Sequence, residues 1–319
     1  MKKFAKYLFL PFILFFIFSC DLLKDKNNYY YSKNGEIDLT SWNCEKDEII
    51  SLNGEWEFYP NSFLYSNDFL EKDFNNKKIL INVPSVWNES KINNKNIRPF
   101  GFATYRIVLK LKENCLIYGI KIPDMSSSYK FFVNNKLVSS SGNPADNKKD
   151  ERVKFSPDFT FIQLNDGDQI IIQVSNHVLL NGGIWKSIEI GSVKKMKENR
   201  LKSIFLDSLF IGGFLFIGLY YLLFFLIRKN DKFYLYFSLF CIIVSLRTLI
   251  ISNSLIFLVF PSFSGIIALK LEYLTIFIGF PIYFLYNYYI YKKYLNNIVK
   301  KIFQFSGIVL TIIVALTDI

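Results

Sequence analysis

The side chains that could do acid–base chemistry are two closely spaced carboxyl pairs, Glu55 with Glu57 and Asp166 with Asp168. Retaining glycoside hydrolases need two carboxyl groups roughly 5–5.5 Å apart, one of them with a raised pKa. The first pair lies on one face of a predicted strand and the second flanks a glycine in a predicted turn, so solvated charge is the simpler interpretation of both. The chain has one histidine, which leaves little material for a metal cluster or a Ser-His-Asp arrangement. We therefore expect no enzymatic activity, no metal and no cofactor.

Binding of a small ligand is the chemistry that the polar loops favour, because a sugar site combines an aromatic platform with planar hydrogen-bonding side chains. Trp185 follows a Gly-Gly pair and could be either such a platform or part of the core. Arg106 could instead form an ion pair on an outward strand face, and His177 could be an ordinary loop-surface residue. The loops in question are 88–100, 124–129, 139–152 and 176–185. The ligand-binding candidates are Arg98, Arg106, Tyr129, His177 and Trp185.

The stretch from about 50 to 193 must position these side chains, and it consists of short β-type runs broken by turn signals. Asn134-Asn135 and Asp166-Gly167 mark hairpin-type connections, where residues tolerant of positive φ are needed. The stretch has no sustained helical periodicity. We predict an antiparallel β-sandwich with Trp56 and Trp87 in its core. The predicted strands are 79–83, 104–111, 116–122, 129–133, 159–164, 169–174 and 187–190.

Residues 1–20 have the pattern of an export signal, with a basic head and a short apolar run. The run is too short to cross a bilayer core of roughly 30 Å. It ends in Ser19-Cys20, which resembles a bacterial lipoprotein cleavage box and predicts lipidation of Cys20. An ordinary signal or an uncleaved anchor is the alternative. In each case residues 21–49, a linker, and the sandwich that follows are exported.

Four later stretches, within 204–319, are long and apolar enough to span a membrane. The connections between spans one and two and between three and four carry lysine and arginine, whereas residues 253–264 carry no charge. Positive-inside counting therefore places residues 21–200 outside a bacterial inner membrane. The basic run 194–202 argues mildly against this, but long domains translocate largely regardless of charge. The predicted spans are about 204–227, 233–252, 265–290 and 302–316.

The formal net charge of +11 does not indicate nucleic-acid binding. Residues 21–200 carry 25 basic and 23 acidic side chains, so the exported part is close to neutral. The excess lies in the signal and in the segments that border the spans. We interpret it as a topology signal and a contact with membrane lipid headgroups.

Six short motifs in the exported part carry a family resemblance, and they occur in a constant order. They are LNGEWEF at 52–58, VPSVWN at 83–88, GFATYR at 101–106, KFFVNNKLV at 130–138, DQIIIQVSN at 168–176 and GGIW at 182–185. This order resembles the galactose-binding-like jelly roll at the front of family 2 glycoside hydrolases. With the helices that follow, residues 50–316 more closely resemble bacterial seven-transmembrane receptors with diverse intracellular signalling modules.

The resemblance implies an all-β jelly-roll sandwich ectodomain followed by an α-helical transmembrane bundle. In the hydrolases this module is an accessory domain and the catalytic carboxylates lie in a separate barrel, so the resemblance implies binding rather than hydrolysis. The chain departs from the receptor family in having four spans and no cytoplasmic output module within its 319 residues. We expect either a truncated or split gene product or a partner that completes it, as a homodimer or with a partner subunit that carries the output.

Charged residues within spans are costly and are usually paired or functional. Arg247 in span two and Glu272 in span three lie at similar depth below the outer boundary, and we predict an ion pair between them. Snorkelling of each charge to the interface is the alternative. Cys44 and Cys115 would both lie in an oxidising compartment, where either a disulfide or two buried thiols are compatible with the sequence.

The whole pattern predicts a membrane-bound receptor that binds a carbohydrate-like or other small ligand outside the cell membrane and passes the signal to a cytoplasmic output. A membrane-tethered carbohydrate-binding or envelope protein without signalling is the second hypothesis, and a transporter component is the third. The large ectodomain and the absence of internal repeats argue against the third hypothesis.

Overall fold

The computed structural model describes residues 30–46, 49–70, 78–92, 95–112, 115–252 and 254–317. The predicted signal at 1–20, the lipidation residue Cys20 and residues 21–29 of the linker lie outside these ranges. In the described part, a strand-rich region is followed by a helical region that contains four candidate membrane spans. The predicted fold class is therefore confirmed.

Sixteen strands form within the described residues, and every predicted strand overlaps one of them. They are β1 Tyr31–Ser32, β2 Glu36–Leu39, β3 Ile50–Ser51, β4 Asn53–Pro60, β5 Ile79–Val83, β6 Ser85–Val86, β7 Lys91–Ile92, β8 Lys95–Asn96, β9 Gly101–Leu111, β10 Tyr118–Ile122, β11 Ser128–Val133, β12 Lys136–Ser141, β13 Asp158–Ile162, β14 Gln169–Asn176, β15 Gly183–Ile184 and β16 Glu189–Ser192.

Two sheets make up the sandwich. The larger has the order β1-β4-β9-β14-β11-β12, with β2 added beside β9 and β5 beside β4. The smaller has the order β13-β10-β16-β3. Most neighbours are antiparallel, and the parallel pairs are β1 with β4 and β2 with β9. The residues that were interpreted as a linker thus supply two strands, β1 and β2, to the larger sheet.

The core lies between the two sheets and is built from the inward positions of both. Trp56 and Trp87, the predicted core tryptophans, are fully buried in it, so that prediction is confirmed. β14 is buried on both faces, because a second apolar cluster covers its outer side. This explains why the sequence of β14 reads as a continuous apolar run instead of alternating. The second cluster consists of Tyr59, Leu64, Phe69, Phe132 and Ile171.

In the described part of the chain, five helices follow the sandwich, and four of them are candidate spans. The spans α1, α2, α4 and α5 pack as sequential neighbours, which is the expected result of short connections between antiparallel helices. The helices are α1 Val193–Ile227, α2 Lys232–Ile251, α3 Ile256–Val259, α4 Gly265–Ile290 and α5 Asn297–Leu316.

α1 begins directly after strand β16, with no linker between them. Ser192 ends the strand and caps the helix, because its hydroxyl accepts a hydrogen bond from the amide of Lys195. One turn into the helix, Met196 is buried against Gly119 of β10 and Gly191 of β16. A Cβ at position 119 would lie 2.8 Å from the Met196 Cγ, so the helix approaches the sheet as closely as glycine allows.

The first turns of α1 continue across the outer face of the smaller sheet. The Lys197 ammonium lies 5.1 Å from the centre of the Phe161 ring, and the Arg200 guanidinium lies 4.6 Å from that of Phe159. Contacts of this type are worth roughly 0.5–1 kcal/mol at exposed sites. The basic run 194–202, which argues against the predicted topology by charge counting, therefore packs on the sandwich. The helix starts eleven residues before the predicted span at 204. Because Phe161 pairs with Gly119 and Phe159 with Lys121, α1 runs towards the carboxyl end of β10, which must face the membrane.

At the opposite end of β10, Cys44 and Cys115 form a disulfide with a Cα–Cα distance of 6.3 Å. It joins the segment after β2 to the connection before β10, next to the buried Trp42 and Tyr118 rings. The bond closes a long loop, since its cysteines are 71 residues apart in sequence.

Reduction of this disulfide should lower the free energy of unfolding of the sandwich by about 4 kcal/mol. The reason is that the cross-link lowers the chain entropy of the unfolded state, and this effect is large for a loop of this length. Denaturant unfolding of the full chain in detergent, followed by tryptophan fluorescence with and without a reductant, measures the change. The matched control is the Cys44→Ala/Cys115→Ala variant, which should unfold at the same denaturant midpoint with and without the reductant. Equal midpoints for the oxidised and reduced wild type would contradict the prediction.

Candidate functional site

The four loops that the sequence nominated for ligand binding meet at the membrane-facing end of the sandwich. Asn176, the last residue of β14, joins three of them. Its Nδ2 donates to the carbonyls of Pro99 and Leu179, each at 2.8 Å, and its Oδ1 accepts from the Ser127 hydroxyl at 2.9 Å. One fully buried amide therefore holds loops 97–100, 124–127 and 177–182 together.

The Gly182-Gly183 pair brings the loop that carries Trp185 close to the core. A Cβ at Gly182 would lie 2.3 Å from the Trp87 ring, and Gly183 has a φ of 119°. The Ser126 hydroxyl accepts a hydrogen bond from the Gly183 amide at 2.7 Å. Glycine is needed at both positions, at the first for space and at the second for backbone conformation.

The fourth loop, between β12 and β13, is tied to the same end by a buried carboxylate. Glu151 accepts hydrogen bonds from the hydroxyls of Ser128 and Ser175. The His177 Nε2 lies 3.0 Å from the carbonyl of Ala145 in this loop. These contacts hold residues 142–157 against the ends of β11 and β14.

The loop 142–157 also contacts the membrane helices. Gly265, the first residue of α4, packs against its backbone, because a Cβ there would lie 2.8 Å from both the Lys154 Cα and the Val153 carbonyl oxygen. The Lys154 ammonium lies 5.8 Å from the centre of the Phe257 ring in α3. The uncharged connection between the second and third spans therefore lies on the same side as the sandwich, in agreement with the orientation inferred from charge.

A crevice of about 180 Å³ separates the sandwich loops from the outer ends of the helices. On the sandwich side, Asp124 and Lys186 form an ion pair at 2.7 Å beside the half-buried Trp185. On the helix side, Glu272 is the charged residue of an otherwise mostly apolar wall. The full lining is Asp124, Phe155, Leu179, Trp185, Lys186, Ile250, Ile251, Ser254, Phe257, Ala268, Leu269 and Glu272.

Arg247 lies beneath this crevice, and the structure corrects its predicted partner. Its Nη1 donates to the backbone carbonyl of Glu272 at 3.0 Å and to the Thr275 hydroxyl at 3.2 Å. Within the described residues, no nitrogen–carboxylate contact of 4.0 Å or less joins Arg247 to Glu272, so the guanidinium contacts Glu272 directly through its backbone carbonyl and not through its carboxylate. The long arginine side chain reaches across to the backbone of α4, which leaves the Glu272 carboxylate facing the crevice.

Two further hydrogen bonds connect α1 to α2 near the same level. The Ser252 hydroxyl donates to an Asp207 carboxylate oxygen at 2.7 Å, and the Ser245 hydroxyl donates to the Ile211 carbonyl at 3.1 Å. Asp207 was not predicted from the sequence. A carboxylate inside a predicted span was the signal that could have found it.

The structure places the five predicted ligand-binding residues in different surroundings. Trp185 lines the crevice. His177 is half-buried on the neighbouring loop, and Arg98 is exposed at the same end of the sandwich, with its backbone carbonyl accepting from the Trp87 indole. Tyr129 and Arg106 lie elsewhere.

Tyr129 is wrong as a ligand-binding prediction, because its side chain points into the core and is fully buried. Burial raises the pKa of its hydroxyl above the usual value for tyrosine. Arg106 takes the alternative role that the sequence left open. Its Nη1 lies 2.6 Å from a Glu57 carboxylate oxygen, and its Nε donates to the Gln169 side chain at 2.9 Å. This cluster lies on the outer face of the larger sheet, away from the loops.

The crevice residues of the sandwich that were not predicted from the sequence are Asp124, Phe155, Leu179 and Lys186. Asp124 and Leu179 lie in the predicted ligand-binding loops, but no residue type or spacing distinguished them from their neighbours. The apolar helix residues could not be found, since they have the composition of any membrane span.

The helical region matches a family model. Residues 203–319 match the model described as 7TM diverse intracellular signalling. The predicted resemblance to these receptors is thus confirmed for the helical region. Together with the four apolar helices, the match makes the chain a multi-pass membrane protein, in agreement with a place in a bacterial inner membrane. No curated protein matched the chain.

Solved structures similar to the sandwich include glycoside hydrolases. A beta-glucuronidase from an uncultured Clostridium species is 16% identical with a TM-score of 0.34, covering 45% of this chain and 28% of that chain. A Faecalibacterium prausnitzii beta-glucuronidase is 13% identical with a TM-score of 0.34, covering 45% and 31%. A GH2 beta-galacturonidase from Eisenbergiella tayi, bound to galacturonate, is 14% identical with a TM-score of 0.32, covering 46% and 24%. The chain spans less than a third of the length of each enzyme, so the likeness carries no activity with it.

Replacement of Arg247 and of Glu272 should have unequal effects on the packing of α2 against α4. Arg247→Met should lower stability by roughly 1.5–3 kcal/mol, because the hydrogen bonds that the charged guanidinium donates to the Glu272 carbonyl and the Thr275 hydroxyl are lost inside the bundle. Glu272→Gln should change it little, because the backbone carbonyl that Arg247 binds is retained. Thermal unfolding of both variants in the same detergent compares them. Equal destabilisation would indicate an ion pair and contradict the observed geometry.

Proposed function

We propose that the chain is the sensing part of a membrane receptor and that a small polar ligand, carbohydrate-like in its chemistry, binds in the crevice between the sandwich and the helices. The observation that carries the proposal is that the loops of the sandwich and the outer ends of two membrane helices wall the same crevice. A ligand there touches both parts of the molecule at once. The family match of the helical region supports a sensor, and the ligand class is our inference.

The size and lining of the crevice favour a single small molecule. Its volume of about 180 Å³ is below the roughly 300–1,000 Å³ of pockets for drug-sized ligands. Trp185 offers an aromatic face, while the Asp124 and Glu272 carboxylates and the Lys186 ammonium offer acceptors and donors around it. An apolar ring face edged with hydroxyl groups, as in one sugar ring, has complementary chemistry.

Transmission requires that the ligand favour one of two arrangements of the helices, with its differential affinity supplying the free energy. The crevice supports such a coupling because its helix wall, at Glu272, continues into the Arg247 and Thr275 contacts between α2 and α4. Further down, Gly307 of α5 packs closely on Pro281 of α4, where a proline interrupts the helix. A shift of α4 therefore changes its contacts with both neighbouring spans. A cytoplasmic output module, on a partner subunit or beyond residue 319, would receive the signal, and a homodimer could bring two such modules together.

We also propose that the chain is not itself a glycosidase. Both carboxyl pairs that could support hydrolysis have structural partners. Glu57 contacts Arg106 and Lys78, and the Asp166 Oδ1 accepts from the Leu111 amide at 3.0 Å. Asp168 accepts from the Asn134 side chain at 2.8 Å. These carboxylates hold turns and strands in position, which is a role that competes with acid–base catalysis.

Trp185 supplies the optical signal that tests ligand binding. The other three tryptophans are buried in the core, so a ligand in the crevice should change mainly the Trp185 emission. Galactose, glucose, N-acetylglucosamine and glucuronate would each be titrated into the full chain in lipid nanodiscs. We expect a saturable change with at least one of them, and we expect Trp185→Phe to abolish it.

Replacement of Glu272 tests whether the sugar binds in the crevice or at another site. Glu272→Gln should weaken binding of the active sugar by roughly tenfold, as expected for a lost charge-assisted hydrogen bond. Lys270→Gln, on the same helix but outside the crevice lining, is the matched control and should bind normally. Retention of the fluorescence change in Trp185→Phe, or equal affinity in Glu272→Gln, would contradict the proposed site.

A further inference from the structure

Two large apolar side chains are exposed at the membrane-facing end of the sandwich. The exposed fraction is 79% for Leu180 and 49% for Phe100. Their backbone neighbours are held by one group, since the Asn176 Nδ2 donates to the carbonyls of Leu179 and Pro99 at 2.8 Å each. The two side chains therefore belong to adjacent loops, and we call them the apolar tip. Water-exposed apolar surface costs about 25 cal/mol per Å², so a partner for the tip is favoured.

The apolar tip lies close to the outer end of α2, which marks the outer boundary of the hydrocarbon layer. α2 has 20 residues and is therefore roughly 30 Å long, which equals the thickness of the bilayer core. Its last residues, Ile250 and Ile251, mark the outer boundary. Leu179 lines the crevice together with these two isoleucines, so the next residue, Leu180, lies close to this end of α2.

Basic side chains accompany the apolar tip. Arg98 is exposed two residues before Phe100, and Lys91 is exposed on the hairpin formed by β7 and β8. The hairpin is joined to this loop, because the Ile97 amide donates to the Ser90 carbonyl at 3.1 Å. Glu89 is an exposed acid in the same region. Apolar side chains flanked by arginine and lysine at this depth match the boundary between acyl chains and phosphate headgroups.

We propose that Phe100 and Leu180 form a lipid-contact surface that dips into the outer leaflet, with Arg98 and Lys91 at the level of the headgroup phosphates. This surface attaches the sandwich to the bilayer at a point separate from the helices. Because Leu180 is next to Leu179, which lines the crevice, the lipid contact also holds part of one crevice wall in place. The lipid contact requires no ligand in the crevice.

Photochemical cross-linking in the full chain tests the contact directly. A benzophenone amino acid would replace Leu180 in one sample and Leu137 in another. Leu137 is the matched control, because it is an exposed leucine, 50% accessible, near the β11–β12 turn at the far end of the sandwich. After reconstitution in vesicles of phosphatidylethanolamine and phosphatidylglycerol and irradiation, mass spectrometry quantifies lipid attached at each position.

We expect roughly tenfold more lipid attached at position 180 than at position 137, because an interfacial side chain lies among acyl chains. Equal and low lipid attachment at the two positions would overturn the proposal. Attachment of position 180 to a second copy of the chain instead of lipid would also overturn it, since the tip would then be a protein interface.

Vesicles with different headgroup charge test the proposed contact of Lys91 and Arg98 with the headgroup phosphates. In the chain with the photoreactive residue at 180, the change Lys91→Glu/Arg98→Glu should reduce lipid attachment several-fold in phosphatidylglycerol-containing vesicles. In vesicles of phosphatidylcholine alone, the same change should have little effect, because the anionic attraction is absent there. Unchanged attachment in the anionic vesicles would overturn the proposed headgroup contact.

Discussion

The contact of Met196 with the two glycines of the smaller sheet is the constraint on which the rest of this structure depends. Because β16 passes into α1 without a linker, the direction of the first membrane helix is set by the sheet itself. The side chain of Met196 fits because Gly119 has no Cβ, which would lie 2.8 Å from the Met196 Cγ. The helix then runs along the sheet towards the carboxyl end of β10. The loops at that end of the sandwich therefore face the membrane instead of solvent.

The sandwich contacts the membrane helices at two separate places. One is the packing of α1 on the smaller sheet, and the other is the contact of loop 142–157 with the start of α4 at Gly265. The crevice lies at the second attachment, on the side of the loops that Asn176 holds together. A group bound there would contact both the sandwich loops and the outer part of α4, away from the attachment through α1. This separation of the two attachments is the physical basis of the proposed sensor function.

Much of this architecture could be predicted from local sequence. Trp56 and Trp87 were assigned to the core from their place in strand motifs, and the spans were found because about 20 apolar residues suffice to cross a bilayer. The contacts between individual side chains were harder to predict. The depth of Arg247 relative to Glu272 followed from helix rise, but a long flexible side chain can reach a carbonyl as easily as a carboxylate. Tyr129 was misassigned because the inward face of a strand depends on its register, and a shift of one residue exchanges the two faces. The crevice itself joins loops and helix ends that are 60 to 150 residues apart in sequence, as from Asp124 to Leu269, so no local pattern could reveal it.

The docking of loop 142–157 on α4 is the central claim, and hydrogen exchange of the full chain in nanodiscs measures it without a ligand. Gly265→Leu would place a side chain where a Cβ already lies 2.8 Å from the loop backbone, whereas Gly212→Leu fills open space on α1 and is the matched control. In Gly265→Leu, the amides of Arg152 and Lys154, which bond to Asn143 and Ser127, should exchange about tenfold faster, while peptides at the β11–β12 turn stay unchanged. Exchange in 142–157 that is the same in both variants would show that the loop does not rest on the membrane helices and would contradict the account.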